Sequence, residues 1–364
     1  MLTSLTEYAK MHGRSGDTVR RIAERGAFYS AHKIGRNWVV DSDEEYPVRK
    51  RAPKSGGYSV QASVVSLFSG CGGMDLGFIG GFDFLGTNYP RTGFEVIWAN
   101  DVNAAACATY KQNIGEHIVC ADFSDVIDQL PKTADIVIGG FPCQDISING
   151  KMRGIEGVRS SLYTYIVETV RIISPKVFVA ENVGGLLLKQ NEYSLNKILE
   201  DFNSLGYDVS YKLYHAADYG VPQTRDRIFI VGTQAWLPKF SPPFPTHSNP
   251  ITAKEAIGDL EEREQDKAFS HIWSLAKVSG EQGNRKLFAD RPGYTIRAEC
   301  HGNIQFHYSL PRRISMREAA RIQSFPDSFR FPCKLRETER QIGNAVPPVL
   351  AWHVADSVKK VLGE

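Results

Sequence analysis

Short runs of valine, isoleucine and other apolar residues alternate along most of the chain with longer stretches in which apolar residues recur at helical spacing. The short runs predict β-strands, and the longer stretches predict helices. The predicted strands are residues 64–68, 95–99, 135–138, 177–180, 209–213 and 228–231. The predicted helices are residues 104–112, 161–173, 193–205, 316–323 and 347–361. The alternation indicates an α/β fold in which a doubly wound, mostly parallel sheet is covered by helices on both faces.

Residues 1–46 follow a different pattern, in which two short helices precede a β-ribbon. Ser4 is a favourable N-cap for the first helix, and the second helix, residues 18–25, ends at Gly26. The second helix carries the basic residues Arg20, Arg21 and Arg25. The pattern resembles the excisionase-like winged helix-turn-helix modules, which predicts a DNA-binding module here. The alternative is a helical hairpin with a solvated basic face.

Changes in composition set the remaining domain boundaries. Residues 47–62 combine proline, glycine and positive charge, which is typical of a linker. Strands and helices alternate over residues 63–235. The alternation stops over residues 236–312, which are predicted to be a smaller, irregular domain, and helices return over residues 313–364.

Composition excludes several classes of protein. The chain has 364 residues, 42% of them hydrophobic, and a net charge of +2, so bulk charge identifies no polyanionic partner. The six cysteines form no CxxC pair, which argues against a zinc site or a disulfide framework and predicts no metal. An apolar leader and a run long enough to span a membrane are both missing from the sequence. We therefore expect a protein of a reducing cytoplasm, with no membrane partner.

Chemically useful side chains follow the predicted strands. Cys143 follows Pro142, which stiffens the turn, so Cys143 is either a nucleophile or a small packed hydrophobe. Glu181 ends an apolar strand, where burial raises the pKa of a carboxyl and makes it a proton donor. Arg225 and Arg227 alternate along one side of an extended segment. An interior ion pair or a device that keeps a sheet edge soluble explains these last three residues equally well.

A glycine-rich turn follows the first long strand and opens a helix. Its residues are Phe68-Ser69-Gly70-Cys71-Gly72-Gly73. Glycines let a ligand approach the backbone, and the start of a helix offers free N–H groups. Asp101 ends the next strand, where an acid suits ribose hydroxyls, and Asp122 is placed to accept from an adenine amino group. Solvated aspartates at strand ends are the alternative.

The motifs, taken in order, resemble those of the DNA (cytosine-5) methyltransferase family. They are Phe68-Ser69-Gly70-Cys71-Gly72-Gly73, Pro142-Cys143-Gln144, Glu181-Asn182-Val183, Gln223-Thr224-Arg225-Asp226-Arg227, Arg317-Glu318-Ala319-Ala320-Arg321-Ile322-Gln323-Ser324-Phe325-Pro326 and Gly343-Asn344-Ala345-Val346-Pro347-Pro348. The match covers about residues 63–360. It implies the fold of S-adenosylmethionine-dependent methyltransferases. Residues 63–235 would be the catalytic and cofactor-binding domain, residues 236–312 the target-recognition domain, and residues 313–364 motifs that return to the catalytic domain.

The resemblance also implies a role for each residue. Cys143 would add to cytosine C6, Glu181 would hold and protonate N3, and Arg225 would hold O2. The implied S-adenosylmethionine site comprises Phe68, Ser69, Gly70, Gly72, Asp101, Val102, Asp122, Phe123, Pro142, Asn344 and Ala345. The implied DNA contacts are Ser147, Arg227, Arg291 and Arg297, beside those of the N-terminal module.

Double-stranded DNA is the implied substrate, and its target cytosine must be flipped out of the duplex. A restriction-modification system, with a cognate endonuclease that forms no stable complex with this monomeric enzyme, is the expected setting. One alternative is an RNA cytosine-5 methyltransferase with the same motifs. Another is a methyltransferase that also represses transcription through residues 1–46.

Overall fold

The computed structural model describes residues 2–24, 32–34, 37–42, 62–141, 162–274, 285–298 and 305–363. The chain divides into two compact units, Met1–Tyr58 and Ser59–Glu364. Pro142, Cys143 and Ser147 lie outside the described residues, as do Arg25 and the side chain of Arg21.

The first unit is a small α/β arrangement. Its elements are β1 (Leu2–Ser4), α1 (Leu5–Met11), α2 (Gly16–Glu24), β2 (His32–Ile34) and β3 (Asn37–Asp41). Ser4 and Glu7 form a reciprocal capping box at the start of α1, as the sequence predicts for Ser4. The strands pair antiparallel in the order β1-β3-β2. A small core that includes Leu5, Tyr8 and Val19 joins the helices.

The second unit holds the remaining elements. Its strands are β4 (Ala62–Leu67), β5 (Phe82–Phe84), β6 (Thr87–Tyr89), β7 (Phe94–Asp101), β8 (Ile118–Cys120), β9 (Ile136–Gly140), β10 (Val177–Val183), β11 (Tyr207–His215), β12 (Gln223–Thr224), β13 (Asp226–Gln234) and β14 (Gly293–Tyr294). Its helices are α3 (Gly73–Ile79), α4 (Ala104–Asn113), α5 (Leu162–Ile173), α6 (Glu192–Asn203), α7 (Ala253–Ile257), α8 (Met316–Ile322), α9 (Leu335–Asn344) and α10 (Pro348–Val361).

Seven of the described strands form one sheet in the order β11-β13-β10-β9-β4-β7-β8. β10, β9, β4, β7 and β8 pair in parallel, and β13 alone among the seven runs antiparallel to both its neighbours. The predicted mostly parallel sheet is therefore confirmed. The chain leaves β4 toward β7 and β8 on one side and later adds β9 on the other. Ligands of open α/β sheets bind at such a reversal, beyond the carboxyl ends of the strands.

Hydrophobic cores cover both faces of this sheet. On one face, Val64, Ile138 and Val179 pack with residues of α3, α4 and α10. On the other face, Val65 and Phe178 pack with residues of α5 and α6. This double coverage explains why the strands read as nearly continuous apolar runs rather than alternating ones.

A third core lies away from the sheet and includes Ile257 of α7, Ile296, Ile322 of α8 and Ile342 of α9. Its residues come from both the 236–312 and the 313–364 segments. The structure therefore joins α8 and α9 to the region that the sequence marked as irregular.

In the part of the chain that the structure describes, no helix is long and apolar enough to cross a membrane.

Candidate active site

A cleft of about 930 Å³ opens where β4, β7, β9 and β10 end. Its walls include both groups of residues that the sequence singled out. Phe68, Asp101 and Asn344 lie on its lining with Glu181 and Arg227. We call the side formed by the ends of β4, β7 and β8 the cofactor half, and the side formed by β10 and β13 the base half. The reversal of strand order therefore coincides with a cavity large enough for a small-molecule ligand.

The glycine-rich turn forms the floor of the cofactor half. Phe68, Gly70 and Gly72 all adopt positive φ angles, of 55°, 57° and 92°. This backbone is strained for phenylalanine, and the strain lies beside the ligand cavity. Gly73 begins α3, and a Cβ there would lie 2.5 Å from the carbonyl oxygen of Val346. The turn thus packs directly against the C-terminal segment.

One residue predicted to bind the cofactor, Gly72, does not face the cleft. Gly72 is not part of the cleft lining, and a Cβ on it would meet Ile114 and Tyr110 in the core at 2.9 and 3.1 Å. Gly72 therefore serves the turn through its left-handed backbone instead of contacting a ligand with its own surface. Ser69 and Gly70, which were predicted to bind the cofactor, both line the cleft.

Two carboxylates stand at the strand ends of the cofactor half. Asp101 ends β7 and accepts the backbone N–H groups of Gly70 and Asn103, each at 2.8 Å. Burial raises the pKa of Asp101 against these two hydrogen bonds. The Asp122 Oδ1 accepts both the hydroxyl and the backbone N–H of Ser124, and these bonds lower the pKa of Asp122. One carboxylate is thus held rigidly by backbone, and the other is ionised and exposed.

Apolar and amide groups complete the cofactor half. The Phe68 and Phe123 rings lie 5.9 Å apart, and Val102 is 70% exposed beside them. Asn344 and Ala345, from the end of α9, reach the same cleft from the C-terminus. An aromatic wall and two acids suit an adenosine, and the exposed amide of Asn344 suits the amino-acid end of the cofactor. The residues present therefore fit S-adenosylmethionine.

Asp75 also lines this half, and sequence reasoning assigned it no role. Its side chain is fully buried, the Tyr110 hydroxyl donates to its Oδ1 at 2.9 Å, and its Oδ2 has no partner among the described residues. Burial raises the pKa of Asp75 to about 6, although the hydrogen bond from Tyr110 opposes the shift. The available signal was an acid in the first turn of the helix that the glycine turn opens.

Glu181 and Arg227 form the centre of the base half. In the antiparallel pairing of β10 with β13, Glu181 lies opposite Phe229 and Arg227 lies opposite Val183. The two side chains are therefore diagonal neighbours on one face of the sheet. Arg227 Nε approaches Glu181 Oε1 to 2.6 Å, and both side chains are about nine-tenths buried. Burial raises the pKa of Glu181, and the positive charges of Arg227 and Arg225 oppose the shift.

Arg225 has a different environment from the one expected. Only 1% of its surface is exposed, and its guanidinium donates to the carbonyl oxygens of Ile296 at 2.8 Å, Gly343 at 2.8 Å and Ala345 at 3.1 Å. These bonds commit it to holding backbone from the 285–298 and 343–345 segments. Arg227, and not Arg225, is the arginine that contacts Glu181, and the predicted contact of Arg225 with cytosine O2 stays a prediction that this geometry does not favour.

The other predicted DNA contacts separate into two groups. Arg297 is exposed and lines the cleft. Arg291 lies outside the cleft lining, close to Asp290 and over the ring of Phe288. Arg312, to which the sequence analysis gives no role, holds Glu318 through two bonds of 2.8 Å. In the described part of the chain, no group of three or more His, Cys, Asp or Glu residues could hold a metal ion.

Comparison with known proteins agrees with this geometry. Residues 62–279 and 270–360 match the family described as C-5 cytosine-specific DNA methylase. The Type II methyltransferase M.NgoFVII of Neisseria gonorrhoeae is 35% identical over 84% of this chain and 88% of its own. The Type II methyltransferase M.BsuRI of Bacillus subtilis is 30% identical over 97% of this chain and 90% of its own.

A solved structure supports the same fold. A putative DNA modification methyltransferase encoded within an E. coli prophage superposes with a TM-score of 0.64 at 24% identity, covering 83% of this chain and 99% of that one. The family match spans the seven-stranded sheet and both halves of the cleft. The chain therefore belongs to the C-5 cytosine-specific DNA methylase family, whose methyl donor is S-adenosylmethionine.

Proposed function

We propose that this protein methylates C5 of a cytosine within a specific sequence of double-stranded DNA. The observation that carries the proposal is the buried Glu181–Arg227 pair, which faces the same cleft as the glycine-rich turn and the two aspartates. A carboxyl and a guanidinium side by side match the N3 and O2 edge of cytosine. S-adenosylmethionine supplies an electrophilic methyl group when bound.

The chain's own residues would prepare the base. Cytosine C5 is a poor nucleophile, so Cys143 would add as a thiolate to C6 and make C5 enamine-like. Glu181 would donate its proton to N3, because burial raises its pKa and favours the protonated carboxyl. Arg227, rather than Arg225, would hold O2 with its guanidinium. After methylation, loss of the C5 proton to a base lets the Cys143 thiolate leave.

The cofactor half would position the donor. Asp101 would take the ribose hydroxyls on its remaining lone pairs, and Asp122 would accept from the adenine amino group. Asn344 would contact the methionine end. Phe68, Phe123 and Val102 would exclude water from around the adenine.

We further infer a biological setting. Several relatives are named Type II methyltransferases, so the chain would protect host DNA against a restriction endonuclease that cuts the same sequence. The endonuclease would form no stable complex with it, and the enzyme would act as a monomer. Bisulfite sequencing of DNA from cells that express the protein tests activity and target together. Protected cytosines in one recurring sequence are expected, and the absence of any protected cytosine would contradict the proposal.

The N-terminal unit is proposed to be a winged helix-turn-helix that binds duplex DNA. Support comes from two short helices followed by an antiparallel ribbon, with Arg20 exposed on α2. Deleting residues 1–58 should leave the methylated sequence unchanged, because the family match begins at residue 62. If the isolated fragment binds its own upstream region and scrambled DNA equally, repression of its own gene is excluded.

A further inference from the structure

The backbone that carries Arg297 is held in place on the wall of the cleft. The residues before it are tied to the segment that precedes β13. Thr295 Oγ1 donates to the carbonyl oxygen of Thr224 at 2.5 Å, and the Ile296 N–H donates to Gln223 Oε1 at 3.0 Å. The Ile296 carbonyl accepts from Arg225 at 2.8 Å. Three hydrogen bonds over two residues therefore hold the backbone that presents Arg297.

The C-terminal segment fixes the same backbone from another side. A Cβ on Gly343 would lie 2.5 Å from the carbonyl carbon of Arg297 and 2.7 Å from its oxygen. Gly343 is thus required for this close approach. Arg225 reinforces the contact, because it donates to the carbonyl oxygens of both Ile296 and Gly343. The Arg297 main chain is clamped between two motifs of the catalytic machinery.

The charge on Arg297 is uncommitted within the described part of the chain. Of the other cleft-lining arginines, Arg225 is used by backbone carbonyls and Arg227 by Glu181. Arg340 pairs with Glu337 at 3.2 Å. Arg297 is exposed, lines the same cleft, and makes no hydrogen bond or ion pair with a described residue. An exposed, unpaired guanidinium that starts from a fixed backbone on the cleft wall is available to a ligand.

We propose that Arg297 reads a guanine next to the target cytosine, donating two hydrogen bonds to its O6 and N7. This inference rests on the proposed function, since it requires duplex DNA in the cleft. Arginine to guanine is the commonest specific contact in DNA recognition. A phosphate contact needs only a positive charge, whereas guanine O6 and N7 need the planar fork of donors that arginine alone presents, and the clamped backbone fixes where that side chain starts. Arg297 and Glu181 line the same cleft, so we place this guanine next to the flipped cytosine.

The test compares the full-length protein with Arg297→Ala and Arg297→Lys on duplex DNA randomised around the target cytosine. Methylation in the presence of S-adenosylmethionine is read by bisulfite sequencing. In both variants, the preference for guanine at one position should fall roughly ten- to hundredfold. The preferences at the other positions should not change. Lysine keeps the charge but not the bidentate fork, so it should not restore the preference. Thermal unfolding checks that both variants fold.

Arg263→Ala is the matched control. It removes an exposed guanidinium from the same region, where Asp266 holds it at 2.9 Å, and it should leave the sequence preference intact. A uniform loss of methylation at all sequences, restored by Arg297→Lys, would show a phosphate contact and overturn the inference. Unchanged preference in Arg297→Ala would also overturn it while leaving the proposed function standing. A wild-type protein that methylates no cytosine would instead contradict the proposed function.

Discussion

The two halves of the cleft are built by different means. The cofactor half relies on backbone, with three positive-φ residues in the turn and an aspartate held by two backbone N–H groups. The base half relies on buried charge, with Glu181 and Arg227 in contact and Arg225 almost fully buried. The cofactor half should therefore be sensitive to added volume, and the base half to the geometry of its charged groups.

A buried ion pair such as Glu181–Arg227 adds little net stability to a fold. Desolvating an ion pair offsets most of its attraction, and replacing a buried pair by apolar residues is often neutral or stabilising. Glu181 and Arg227 are each about nine-tenths buried at the end of a sheet that has ample apolar packing. Their position at the cleft fits the reaction in which the two side chains would hold a cytosine.

The largest expected effect comes from exchanging each arginine of the base half for lysine. Arg227→Lys should lower turnover about a hundredfold, because the single ammonium cannot hold both Glu181 and a base in the geometry of the fork. Its free energy of unfolding should change little. Arg225→Lys should lower the free energy of unfolding by about 3 kcal/mol, since it loses three bonds to backbone carbonyls.

Turnover is measured by transfer of labelled methyl to DNA, and unfolding by denaturant titration. The two variants carry the same substitution two residues apart, so each is the control of the other. If Arg225→Lys folded normally but lost turnover, while Arg227→Lys kept its turnover, the assignment of O2 to Arg227 would be wrong.

The next effect concerns the buried carboxyl of the cofactor half. Folding raises the pKa of Asp75 from 3.8 to about 6, so the folded protein holds this proton more tightly than the unfolded chain. Its contribution to stability is fully present below about pH 4 and is lost as the pH rises through about 6. The difference in unfolding free energy between Asp75→Asn and wild type should therefore rise by about 3 kcal/mol from pH 4 to pH 7.

Denaturant titrations at several pH values measure this difference. Asp135→Asn is the control with the opposite sign. Burial alone would raise the pKa of Asp135, but hydrogen bonds from Ser63 and Lys176 lower it below its usual value. The stability that Asp135 contributes is therefore lost as the pH falls. A flat difference for Asp75→Asn across this range would mean that its carboxyl is not buried as described.

The smallest of these effects tests volume in the cofactor half. Gly73→Ala would place a methyl 2.5 Å from the carbonyl oxygen of Val346, so the C-terminal segment must shift. We expect a loss of about 1–3 kcal/mol in unfolding free energy and weaker binding of S-adenosylmethionine by calorimetry. Gly16→Ala in α2 is the control, because no atom of the described residues outside its own helix and chain neighbours lies within 4 Å of the added methyl. If the two variants were equally stable, the turn and the C-terminal segment would not be in tight contact.

Much of the sheet could be predicted from sequence because its strands are buried on both faces. All six predicted strands are present in the large sheet. The seventh strand, β8, is only Ile118–Cys120 and lacks the length of an apolar run. Region 236–312 was harder to predict, because its core forms with α8 and α9 from the next segment, a non-local contact that no local pattern records.

The roles of Arg225 and Arg227 could not be separated from sequence. Alternation places both on one side of the strand, and only the register of β13 against β10 brings Arg227 to Glu181. Gly72 could not be distinguished from its neighbours for a similar reason, since its left-handed backbone, and not its sequence, turns it toward Tyr110.

The central claim is that this chain attacks cytosine covalently through Cys143. Duplex DNA carrying 5-fluorocytosine at the target, incubated with the enzyme and S-adenosylmethionine, tests it directly, since fluorine cannot leave as the C5 proton does. Peptide mapping should locate one methylated DNA adduct on Cys143. Cys71 is a built-in control, because it is 2% exposed and burial raises the pKa of its thiol. An adduct on Cys71, or no adduct from an enzyme that methylates ordinary DNA, would contradict the account.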